Sequence, residues 1–188
     1  MGLVPMNRRR IIALLVVAYL AVFLESFYNG LRRLLGVQID LLPVLMVYAS
    51  LKLGLTAFSL LAVLGGLGLD ALSANPLGIS VLPLFALGSL LYYNRERILG
   101  DEPFAQCVIG LIACAATPLL TLALLFAVDA NPAVGWPFLW QWFALTLSGG
   151  VCTPACFRLF AWIDHTFSHP RLGDTSFRPD REIDRGRF

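Results

Sequence analysis

Between Leu41 and Tyr93 the chain carries only two formal charges, Lys52 and Asp70, in an otherwise apolar run. A charge at membrane depth costs on the order of 3 kcal/mol or more, so an acid held there has work to do. Gly65, Gly66 and Gly68 precede Asp70, and Asn75, Pro76, Leu77 and Gly78 follow it as a turn signal. Two chemistries are open to the carboxylate. It can cap or anchor a helix end near the membrane interface, or it can organise a polar contact within the bundle or with a partner helix. Gly66 lies one helical turn before it, where a second helix can approach closely. Ser73 can hydrogen-bond the helix end through its hydroxyl, and Gly78 supplies the backbone freedom needed after Pro76. Gly66, Asp70, Ser73, Pro76 and Gly78 are therefore the candidate structural or partner-interface residues.

Other reactive side chains point to less. Cys107, Cys114, Cys152 and Cys156 lie in apolar segments, form no CxxC pair, and read as small polarisable packing residues. His165 and His169 are four apart beside Asp164, a spacing that could share one face of a helix, but nothing else offers further metal ligands. Other polar residues in the apolar segments, such as Thr117, Thr121, Thr146 and Ser148, are scattered. No nucleophile with a base, phosphate loop or carboxylate pair is present, so the sequence predicts no catalysis, no cofactor and no metal. It offers no nucleic-acid motif either.

The elements that must position Asp70 follow from composition. Of 188 residues, 58% are hydrophobic and 14% charged, far from the balance of a soluble domain. A helix needs about 20 apolar residues to cross a hydrocarbon core of about 30 Å. Nearly the whole chain is consumed at that rate. The expected fold class is an all-α polytopic integral membrane protein with six transmembrane helices. The expected spans are Ile11–Tyr28, Val37–Leu53, Leu55–Leu72, Ile79–Tyr93, Ala105–Val128 and Pro137–Phe157. The domain division is a six-helix transmembrane domain over 1–167 and an arginine-rich cytoplasmic tail over 168–188. The basic start resembles a signal peptide, but the apolar run is long and Glu25, Ser26, Phe27 and Tyr28 offer no small-x-small cleavage site.

Charge sets the orientation. With the N-terminus inside, Arg8, Arg9, Arg10, Lys52, Arg95, Arg97, Arg158, Arg171, Arg178, Arg181, Arg185 and Arg187 are cytoplasmic. Only Arg32 and Arg33, of 14 Lys and Arg, fall outside. Both termini are then cytoplasmic. Fusing Leu41 to Leu69 into one helix would bury Lys52 mid-membrane and weaken that asymmetry. Trp136, Trp140 and Trp142 mark the outer entry of the last span, and Trp162 its inner exit. Small residues recur four apart as Ala62 with Gly66, Gly110 with Cys114, and Gly149 with Thr153. That spacing suits close packing inside the bundle or a face for a partner's membrane helix.

These residues together resemble the rod shape-determining protein MreD family of bacteria. The resemblance rests on Asp40 to Pro43, Tyr48, Ala49 and Gly54, then Gly65 to Ser73, and Pro76 to Gly78. It covers roughly residues 40 to 92, with hydropathy alone matching beyond. Family members often show Gly-Tyr-Leu in the fourth span, where this chain has Gly88, Ser89 and Leu90.

Such a resemblance implies a non-enzymatic, multi-pass component of the bacterial cytoplasmic (inner) membrane. It would serve the elongasome, which inserts peptidoglycan along the side wall. The implied partners are an MreC-like protein, a RodA-like glycosyltransferase, its class B penicillin-binding protein and, indirectly, the MreB filament, besides membrane lipids. The family's fold is thought to be similar to that of substrate-binding subunits of energy-coupling-factor vitamin transporters, which supplies the alternative function. Those subunits typically carry an Ala-x-x-x-Ala coupling motif on the first helix. Here Ala13, Ala18 and Ala21 do not provide it.

Overall fold

The structure is a computed structural model and describes residues 8–27, 40–72, 76–98, 102–128 and 135–167. Among these residues the fold is all-α. In chain order the helices are α1 (Arg8–Phe27), α2 (Leu42–Tyr48, running on as a π-helical turn Ala49–Leu53), α3 (Leu55–Leu72), α4 (Val81–Asn94), α5 (Pro103–Ala127) and α6 (Trp136–Phe167). Three are long and apolar enough to cross a membrane: α3, α5 and the stretch Trp136–Ile163 of α6. Large apolar side chains such as Ile12, Leu64, Ile112 and Leu147 face outward from four different helices. A contiguous apolar exterior of that extent suits lipid and not water, which marks a membrane protein. The loop 29–36, the tail 168–188 and residues 73–75 lie outside the described residues.

Helix α2 is the hub. Every residue from Leu42 to Ser50 is buried, and a helix apolar all round belongs in a core. It is also short, about 18 Å for its twelve residues including the π turn. Tyr48 stacks on Phe160 of α6 with ring centroids 4.3 Å apart and meets Phe157 edge-on at 5.2 Å. The chain then reverses at a single residue. Gly54 adopts φ +100°, which side-chain-bearing residues rarely tolerate. Its N–H donates to Ala49 O at 3.0 Å, closing the π turn, and its carbonyl accepts from Phe58 N at 3.2 Å. Leu41 to Leu69 is therefore two antiparallel helices.

Helices α5 and α6 form a tight antiparallel pair, and here the small residues are used internally. A side chain at Gly110 would run into Thr153 and the carbonyl of Gly149, and one at Gly149 would run into Cys114. The two small-residue pairs thus pack against each other. Both helices contain a proline, Pro118 and Pro154, each preceded by a threonine. The Thr117 and Thr153 hydroxyls donate to Ala113 O (2.9 Å) and Gly149 O (2.7 Å). Proline cannot donate to the carbonyl four residues back, so the ladder is interrupted at both places. The Trp142 indole N–H donates to Ala115 O of α5 at 3.0 Å, a further tie across the pair.

Candidate functional site

The paired glycines of α3 decide where its neighbours sit. A Cβ on Gly65 would lie 2.7 Å from Leu42 Cδ2, at the first turn of α2. A Cβ on Gly66 would lie 2.8 Å from Val81 Cγ2 and 2.9 Å from Val81 Cα and N, at the first residue of α4. Two short helices therefore begin at the same level of α3, each admitted by one missing side chain.

Asp70 stands one turn beyond Gly66 and is 2% exposed. Its Oδ2 accepts from Gly78 N at 2.8 Å and from Ser80 N at 3.1 Å. The first N–H groups of a helix and of the turn before it have no partner within the helix. A carboxylate there satisfies them and sits favourably against the positive end of α4's dipole. Gly78 has φ +95°, and nothing lies within 4 Å of where its Cβ would be, so the turn demands glycine for its backbone alone. Pro76 is exposed, and its carbonyl accepts from Ile79 N at 3.3 Å. The structure thus brings Gly66, Asp70, Pro76 and Gly78 into one α3–α4 corner. Ser73, with Asn75, lies outside the described residues.

Residues not singled out from the sequence complete the corner: Ser80, through its backbone N–H, and Val81. The Pro76-x-Gly78 turn leading into an apolar run was the available signal for a helix start that needs an acceptor. A second carboxylate repeats the device on the other side of α3. Asp40 Oδ1 accepts from Leu42 N at 2.9 Å, at the start of α2, with Pro43 next in the first turn where a missing donor is harmless.

At the opposite end, the Arg95 guanidinium lies 4.6 Å from the centroid of the Tyr92 ring, which approaches Phe58 (5.7 Å). Cys114 is buried between α5 and α6, and Cys107, Cys152 and Cys156 are half-buried. His165 and Asp164 belong to α6, and His169 lies outside the described residues. Among the described residues no three His, Cys, Asp or Glu side chains are grouped so as to hold a metal ion. What the Asp70 corner can do chemically is fix the start of α4 against the end of α3. Comparison with protein-family models, with curated proteins and with solved structures finds no match.

Proposed function

We propose that the chain is a non-enzymatic scaffold of the bacterial elongasome in the cytoplasmic (inner) membrane. In this role it supports side-wall peptidoglycan synthesis and rod shape by binding an MreC-like protein and a RodA-like glycosyltransferase with its class B penicillin-binding protein. The reading includes six membrane crossings with both termini cytoplasmic, and a fold similar to energy-coupling-factor substrate-binding subunits.

The observation that carries it is a coincidence of two patterns. The residues behind the MreD resemblance, Asp40 to Pro43, Gly54, Gly65 to Asp70 and Pro76 to Gly78, are those that build the α2–α3–α4 unit. They are its two carboxylate anchors, its single-residue reversal and its close approaches. A scaffold needs a shape that does not yield when a partner docks, and internal anchors of this kind supply it.

The transporter reading is weaker. Ala18 and Ala21 of α1 are buried against the body of the chain instead of forming an outward coupling face. Affinity purification of the full chain from membranes, with identification of what accompanies it, tests the proposal. Recovery of the synthase and an MreC-like protein is expected. A stoichiometrically retained small molecule bound with submicromolar affinity, and no such partners, would overturn it in favour of uptake.

A further inference from the structure

We propose that the hydrocarbon layer is thinned along the α4 edge of the molecule, so that headgroups and water reach the Pro76–Ser80 turn. The inference rests on the membrane placement and is independent of the cell-wall reading.

Length is the first observation. Helix α4 has 14 residues, about 21 Å, against a hydrocarbon core of about 30 Å. The neighbouring α5, with 25 residues, reaches about 37 Å. A short helix inside the bundle, such as α2, is shielded from this mismatch by its neighbours. Helix α4 is not shielded: Leu82, Phe85, Leu90 and Tyr93 all face outward. Among the described residues no other helix covers them.

Depth is the second. Val81, the first residue of α4, is packed on Gly66, six residues before α3 ends at Leu72. The start of α4 is therefore recessed by about 9 Å along α3. The recess holds irregular backbone, with Pro76 and Leu77 exposed at the perimeter. Irregular backbone facing lipid is tolerated only where its polar groups are met by protein or water. The Asp70 carboxylate meets two of them from the inside, and the perimeter side is left to headgroups and water. The other end of α4 closes in the same sense, with Asn94 as its last residue and Arg95, Glu96 and Arg97 following directly. A bilayer meeting a hydrophobic stretch shorter than itself thins locally at a modest cost per ångström.

The test uses the full chain in phosphatidylcholine nanodiscs of ordinary thickness and a membrane-impermeant, water-soluble maleimide. Three outward positions are changed singly: Leu77→Cys before α4, Tyr93→Cys at its end and Leu147→Cys in the middle of α6. Mass spectrometry assigns the label by position, so the native cysteines stay. Ser80 and Tyr93 are about 20 Å apart along the helix, and the turn from Leu77 to Ser80 adds less than about 7 Å, so the two labelled positions lie closer than the thickness of an ordinary hydrocarbon core of about 30 Å. Water at both in one bilayer therefore requires a thinned layer. Labelling of Leu77→Cys and Tyr93→Cys with none at Leu147→Cys is expected. Protection of either Leu77→Cys or Tyr93→Cys overturns the proposal. Labelling of Leu147→Cys removes the membrane placement, and the proposal with it, whatever the chain's partners prove to be.

Discussion

Replacing Asp70 by alanine removes the acceptor for two backbone donors, Gly78 N at 2.8 Å and Ser80 N at 3.1 Å. A buried donor left without a partner costs about 1–3 kcal/mol. Both bonds end on one carboxylate oxygen, and Gly78 and Ser80 are only half-buried. The expected loss is therefore roughly 2–4 kcal/mol, below twice the upper single value. For a chain of this length 1 kcal/mol corresponds to about 2–4 °C, so the melting midpoint should fall by about 4–16 °C. Asp70→Asn keeps an oxygen in place and gives up mainly the charge at α4's N-terminus, worth about 0.3–1 kcal/mol. Its midpoint should fall less than half as far. Thermal unfolding in nanodiscs reads the stability, and hydrogen exchange over residues 76–81 reads the turn itself. Gly66→Ala pushes on Val81 and loosens the same junction, so its effect should be less than additive with Asp70→Ala. If Asp70→Ala melts with the parent and leaves exchange over the turn unchanged, the carboxylate is a tolerated interfacial acid and the reasoning fails.

Changes at Gly78, Gly110 and Trp142 separate backbone, packing and hydrogen-bond effects. Gly78→Ala should lose about 1–2 kcal/mol through its φ of +95° alone, and Gly78→Asn less, both measured as melting midpoints. Gly110→Val should force α5 and α6 apart at Thr153 and Gly149, lowering the yield of folded protein and costing about 1–3 kcal/mol or more. Trp142→Phe should cost about 0.5–1.5 kcal/mol by losing the bond to Ala115 O. Trp136→Phe, at a 79% exposed position, should be nearly silent in the same unfolding assay.

Hydropathy was enough to show an all-helical chain, because a run of apolar residues between turn signals leaves few other structures open in lipid. Gly66, Asp70 and Gly78 stood out for a related reason: each breaks a local rule, by charge or by the lack of a side chain, in a segment that otherwise obeys it. The partner of each was less visible. That Gly66 receives Val81, or that Ser80 shares the acid with Gly78, depends on how far the chain turns between α3 and α4, and spacing does not fix that. Trp142 was read as an interfacial marker because aromatic belts are common. Its bond to Ala115 O depends on how α5 and α6 dock, which spacing does not fix. The second expected span, Val37–Leu53, begins too early, because it runs through Gln38 and Asp40; Asp40 and Leu41 stand before the helix, which starts at Leu42. The length of α6 was hidden because its last turns, from Arg158, mix charge with Leu159, Phe160 and Trp162, of which only Phe160 turns into the core.

The proposed role as a scaffold for side-wall synthesis is tested by controlled depletion of the protein from its own cells. The site of new peptidoglycan insertion should be followed by a fluorescent cell-wall label as the protein disappears. Labelling along the side wall should be lost and the cells should widen and round, while vitamin uptake stays normal. Unchanged side-wall insertion and unchanged rod shape after the protein is gone would contradict it.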